Sequence, residues 1–150
     1  MNKFTLLVIT LLLVGIASCK KGEIGDGSNK CERCTYTFRE NTGTGSLIFE
    51  YKHYFFEGSV GGSSTPYRGL SVEVPTGMNV FSYGDKEIAS DKVNYLFMCI
   101  NCGAIAFEPV GGTIKGRKVN DRTWLLDANV YLGSPTEIRD TIVFKQFFTK

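Results

Sequence analysis

After residue 30 the chain is dominated by short stretches in which apolar and polar positions alternate. The clearest is Thr123–Leu132. Trp124, Leu126, Ala128, Val130 and Leu132 fall on one face and Thr123, Asp127 and Asn129 on the other, with Leu125 and Tyr131 as exceptions. A period of two marks a half-buried antiparallel strand, because successive strand side chains point to opposite faces. Shorter runs of the same kind are Thr35–Arg39, Leu47–Phe56, Leu70–Val74, Val80–Tyr83, Val93–Cys99, Ala104–Glu108, Thr113–Lys115 and Glu137–Thr149. Turn chemistry separates them: the loop Gly58–Pro66, then Pro75-Thr-Gly77, Gly84-Asp85 and Gly133-Ser-Pro135. Only Lys86–Lys92 has the make-up of a helical turn. About eight to nine short strands at this spacing predict an all-β fold, an antiparallel β-sandwich or a small barrel. The pattern does not choose between the two.

The start of the chain follows a different rule. Lys3 precedes the apolar run Phe4–Val14, and the small residues Gly15, Ala17 and Ser18 follow it. Charge, apolar core and small-residue cut site in that order form a signal-peptide pattern. The run falls short of the roughly 20 apolar residues that span a bilayer, and Lys20 and Lys21 block its extension. Within it, Gly15-Ile16-Ala17-Ser18-Cys19 resembles the lipobox of bacterial lipoproteins. That resemblance implies cleavage before Cys19, diacylglycerol on its thiol and a further acyl chain such as palmitate on its amine, which together anchor stably. Cys19-Lys-Lys-Gly-Glu23 also resembles the start of Bacteroidota-type lipoproteins, and no aspartate follows Cys19 as in the inner-membrane retention signal of enteric bacteria. The implied location is the outer membrane of the cell envelope. Glu23 and Asp26 are spread rather than adjacent, so the periplasmic and surface faces both stay open.

These readings divide the chain into a signal peptide (1–18), a lipidated Cys19 with a polar, Gly-rich tether (19–30) and one β domain (31–150). As a random coil, residues 20–30 reach on the order of 18 Å. Lys3 is the only charge lost with the leader, so the side-chain balance falls from +2 to +1. A near-neutral chain without a basic stripe gives no footprint for nucleic acid. Seven Tyr, eleven Phe, one Trp and seventeen Gly favour strands and tight turns.

With Cys19 assigned to lipid, Cys31-Glu-Arg-Cys34 and Cys99-Ile-Asn-Cys102 remain as two Cys-x-x-Cys units. Two accounts are near even. One is a structural zinc held by Cys31, Cys34, Cys99 and Cys102, worth on the order of 10 kcal/mol. Gly103 after the second unit resembles a zinc knuckle, although residues 35–98 separate the units far more widely than in a zinc ribbon. The other is two disulfides, expected in an oxidising envelope. A bridge between the units would be worth roughly 4 kcal/mol, and bridges within each unit much less. Thioredoxin-type redox chemistry needs a helix N-terminus, whereas both units lead into strand-like sequence.

No catalytic constellation is legible, so the chain reads as no enzyme. His53, the only histidine, lacks an identifiable nucleophile and is expected to face solvent on a strand. The loop 58–65 lacks the Gly-Lys-Ser/Thr of a phosphate loop, and Lys115-Gly-Arg117-Lys118 reads as a solvated basic turn. Phe49, Phe55, Trp124 and Phe144 are expected in the core. Tyr51, Tyr54, Tyr67 and Tyr131 could form a platform for a glycan or protein partner. The leading expectation is thus a membrane-anchored, non-enzymatic binding or structural lipoprotein of unknown ligand. The alternative is zinc handling through the four cysteines.

Overall fold

The computed structural model describes residues 31–55, 65–99, 107–134 and 137–150. The leader, Cys19, the tether and Cys102 lie outside the described residues, as does the loop 58–65 apart from Thr65. The elements are β1 (Cys34–Asn41), β2 (Ser46–Tyr54), β3 (Tyr67–Pro75), β4 (Val80–Tyr83), α1 (Asp85–Ile88), β5 (Val93–Met98), β6 (Glu108–Asn120), β7 (Thr123–Ser134) and β8 (Glu137–Thr149). The all-β expectation holds, with eight strands among the described residues.

The strands form one curled sheet, a half-barrel, in the order β4-β6-β7-β8-β1-β2-β3-β5. It consists of two antiparallel ribbons, β1-β2-β3-β5 and β4-β6-β7-β8, joined where the first strand meets the last. That junction is parallel and departs from the all-antiparallel expectation. Its register holds a single pair, Thr37 with Thr149. The chain leaves β3 for β4 on the far edge, then returns through α1 to β5. The outer edges β4 and β5 therefore face each other across the open side.

Several contacts close that side. Ile88 of α1 is fully buried. The Tyr83 hydroxyl donates to the Glu73 carbonyl at 2.8 Å, and Gly112 N–H donates to Asp85 Oδ1 at 2.7 Å. The Tyr95 and Phe107 rings lie 6.0 Å apart, and α1 is capped where Gly84 N–H donates to Glu87 Oε2 at 3.0 Å.

Alternation places the core as the sequence predicts. Trp124, Leu126, Ala128, Val130 and Leu132 are all buried on the inner face of β7. Phe49 is the hub: its ring lies 5.4 Å from Phe38, 5.9 Å from Phe81, 5.3 Å from Trp124 and 5.9 Å from Phe148. Phe144 is buried too, while Phe55 is only half-buried.

The segment containing Lys115-Gly-Arg117-Lys118 corrects the sequence reading. It is not a turn but part of β6, paired with Trp124–Asp127 of β7. The turn follows at Asp121-Arg122, where Arg122 N–H donates to Asn120 Oδ1 at 2.9 Å. Gly116 sits in that strand because a ring takes the place of its side chain: an added Cβ would lie 2.0 Å from Phe81 Cε1. At Gly112, φ is +122°, and a Cβ would lie 2.0 Å from the Asn129 carbonyl oxygen.

Candidate functional site

The strongest cluster of reactive groups lies on the inner face at the mouth of the half-barrel, where β1 begins. A tight turn carries the chain into β1, closed by Cys34 N–H donating to the Cys31 carbonyl at 3.2 Å. It brings the two Cα atoms within 5.3 Å, and the sulfurs form a disulfide. The first Cys-x-x-Cys is thus closed on itself, the least constraining of the connectivities open to it.

Opposite the turn, Cys34 pairs in register with His53 of β2. Tyr54 N–H donates to the Arg33 carbonyl at 2.9 Å. With bonds alternating along an antiparallel ladder, Cys34 and His53 fall in the next, non-hydrogen-bonded pair, where side chains approach most closely. The ligand atoms of Cys31, Cys34 and His53 all lie within 4.8 Å of one another, a grouping that could hold a metal ion.

His53 corrects a second expectation. It is half-buried and shares a parity with Leu47, Phe49 and Tyr51, the inward row of β2. Burial lowers its pKa below the ordinary histidine value, and the Arg68 and Arg33 guanidiniums push it further down. The imidazole is therefore neutral at neutral pH, with a nitrogen lone pair available.

Aromatic and charged groups surround this corner. Tyr51 and Tyr36 stack at 5.3 Å, and Phe144 of β8 packs 4.9 Å from Tyr51. The Tyr51 hydroxyl lies 3.8 Å from Cys34 Sγ. Because the bonded sulfur carries no hydrogen, the phenol is the donor there. Arg68 of β3 forms an ion pair with Asp140 of β8, three strands away in the sheet order. Arg33 donates to the Phe55 carbonyl at 3.0 Å.

Burial raises the Tyr36 pKa to about 12, helped by the nearby Tyr51 phenol. Burial also raises Tyr51 and Tyr95; for both, Arg68 works against the rise and Asp140 adds to it. The mouth is thus an aromatic, poorly solvated surface with one ion pair set into it.

Beside the corner, β1 and β8 separate. Their single register pair leaves a cavity of about 240 Å³ lined by Cys31, Tyr36, Tyr51, Phe144, Lys145 and Gln146. A larger hollow of about 350 Å³ lies over Leu125 on the outer face, rimmed by Lys115, Arg117, Asp127 and Lys145. It gathers no histidine or cysteine.

Of the four predicted sulfurs, then, the structure joins Cys31 to Cys34. Cys99 sits just beyond the end of β5, three strands from β1 in the sheet order. It is itself disulfide-bonded and does not enter the Cys31–Cys34–His53 group. Among the predicted platform tyrosines only Tyr51 reaches the mouth; Tyr54 is buried on the other face against Tyr67, 5.8 Å away.

Sequence reasoning missed Arg68 and Asp140, which lie far apart in the chain and carry no local signal. It also misplaced His53 as solvent-facing, although a signal existed: the alternation from Phe49 through Tyr51 points it inward. Scans against protein-family models, curated proteins and solved structures find no match to this chain.

Proposed function

We propose that this protein is a non-enzymatic lipoprotein of the bacterial outer membrane, anchored through Cys19, whose half-barrel binds a ligand at the seam between β1 and β8. One observation carries the binding reading. Where the two strands part, an aromatic-lined cavity of about 240 Å³ lies beside a strand edge that, among the described residues, makes a single register pair. A groove with stacked rings beside a sparsely paired strand edge suits an extended peptide or a glycan, by strand addition or by ring stacking.

The charged groups and the Tyr51 phenol of the mouth are engaged, Arg68 with Asp140, Tyr51 with Cys34 and Arg33 with the Phe55 carbonyl. That arrangement supports recognition over catalysis. The anchoring half of the reading rests on the lipobox resemblance at Ile16–Cys19 and on the apolar leader before it.

The test has two arms on the full chain. Growth with labelled palmitate should label the wild type and not Cys19→Ala, which should leave the membrane fraction. Binding of the detergent-extracted protein to peptide and glycan panels should weaken on Tyr51→Ala and Phe144→Ala but not on Val119→Ala, an exposed residue of β6 away from the cavity. Hydrolytic turnover abolished by changing one polar residue of the mouth would defeat the reading.

A second reading, metal handling, is favoured by one specific observation, the convergence of Cys31, Cys34 and His53. Metal content of reduced against oxidised protein tests it.

A further inference from the structure

We propose that reduction of the Cys31–Cys34 disulfide converts the β1–β2 corner into a three-ligand site for one zinc ion, held by Cys31 Sγ, Cys34 Sγ and the His53 imidazole. The inference rests on the metal-handling reading and replaces its four-cysteine ligand set with this one.

The geometry points to it in three ways. The turn and the strand register already bring all three ligand atoms within 4.8 Å of one another. They come from backbone that is hydrogen-bonded on both sides, through Cys34 N–H to the Cys31 carbonyl and Tyr54 N–H to the Arg33 carbonyl. Two sulfurs each 2.3 Å from a tetrahedral zinc stand about 3.8 Å apart. Cα atoms 5.3 Å apart allow that separation by side-chain rotation alone. Finally, the Tyr51 hydroxyl is placed to donate to Cys34 Sγ. A thiolate accepts such a bond better than a disulfide sulfur, so the phenol would steady the reduced, metal-bound form.

The donor set selects the metal class. Two thiolates and an imidazole suit zinc and other thiophilic ions, not magnesium or calcium, which take oxygen. Three protein ligands leave a fourth tetrahedral position for water or a partner's group, the pattern of open rather than purely structural zinc sites.

The chemical step balances with a dithiol as the reductant. The dithiol gives two electrons and two protons, becoming a disulfide, and the Cys31–Cys34 bond becomes two thiols. Zinc binding then releases both thiol protons to solvent. Because the disulfide closes only a short turn, its loss costs little chain entropy. The fold should survive reduction.

The experiment uses the full chain in detergent, oxidised or reduced with a dithiol that is then removed under anaerobic conditions. Zinc is titrated against a competing chelating dye, and cobalt(II) serves as a spectroscopic probe for thiolate charge-transfer bands. Far-ultraviolet circular dichroism confirms that each variant is folded. The expected result is one zinc per reduced chain, none per oxidised chain and none in Cys31→Ser/Cys34→Ser. His53→Gln should lose more than the roughly 10–100-fold that a mere supporting contact is worth, and Tyr51→Phe should fall within that range.

Tight binding retained in His53→Gln, or equal binding by the oxidised protein, overturns the proposal. If Cys99→Ser/Cys102→Ser abolishes binding and Cys31→Ser/Cys34→Ser does not, this ligand set fails while metal handling stands. If no reduced form takes up zinc or cobalt, both fail.

Discussion

Breaking the Arg68–Asp140 pair measures how the mouth of the half-barrel is held. The two side chains are 33% and 29% exposed, and that intermediate exposure sets the magnitude. Fully exposed ion pairs contribute about 0.2–1 kcal/mol, whereas stranding one partner of a buried pair costs about 3–5 kcal/mol. A direct guanidinium–carboxylate contact about one-third exposed belongs between these limits, with a coupling energy of about 1–2 kcal/mol. The carboxylate keeps a second partner, since Thr141 N–H donates to Asp140 Oδ1 at 2.7 Å. Asp140→Asn should be milder than Arg68→Met, because the Asn side-chain oxygen can still accept from Thr141 N–H and from Arg68, whereas Arg68→Met leaves the carboxylate without its counter-charge. Both singles and the double variant would be unfolded in urea and followed by fluorescence of the sole tryptophan, Trp124, which is buried. Each kcal/mol should lower Tm by about 3–5 °C for a domain of this size. Screening should shrink the coupling at high salt without abolishing it. Additivity of the two single variants within about 0.5 kcal/mol would show independent sites and refute the claim that this pair ties β3 to β8.

Two further predictions concern β6 and the phenols. Gly116→Ala should cost about 1–3 kcal/mol by driving a methyl into the Phe81 ring, and faster hydrogen exchange over Val80–Tyr83 should report displacement of β4; unchanged exchange there would contradict the packing. In an ultraviolet alkaline titration, Tyr36→Phe should remove the phenol that ionises at about 12. Since the folded pKa is raised above 10, the stability linked to Tyr36 is fully present below about pH 10 and is lost as pH rises through about 12. Tyr51 and Tyr95 are raised as well, so the readout is the amplitude of the late phase: an amplitude unchanged in Tyr36→Phe would place that phenol elsewhere.

How far the fold was legible depends on whether a signal was local. The inward row of β7 could be read off directly, because one face of that strand is wholly apolar and the other largely polar. β6 could be read only over Thr113–Lys115, since Gly111, Gly112 and Gly116 imitate turn chemistry. Their cause is non-local: the Asp85 carboxylate, the Asn129 carbonyl and the Phe81 ring occupy the space that side chains at Gly111, Gly112 and Gly116 would fill. The parallel seam is equally non-local, because it joins the first strand to the last and no alternation reports which strands are neighbours. At the site, the spacing of Cys31 and Cys34 marked a sulfur pair, but its sulfur partner follows from the turn, and its imidazole neighbour from the β1–β2 register. His53 shows that parity outweighs residue type. A polar residue in line with Phe49 and Tyr51 points inward whatever its own hydropathy.

The corner and the seam share one origin. β8 extends past the start of β1, because its Thr149, the last strand residue, pairs with Thr37 near the beginning of β1. The inner face of β8 from Asp140 to Phe144 thus lies below the first described turn, where Cys31 enters. Residues 20–30, the proposed tether, precede that turn in the sequence. With Cys19 in the bilayer and residues 20–30 a random coil, both as proposed, a reach on the order of 18 Å would keep the mouth within a short distance of the headgroups. A partner or metal would then approach along the membrane rather than from bulk solvent. Lengthening the tether would change access to the mouth while leaving its affinity unaltered, which separates a role for the anchor in recognition from one in location alone.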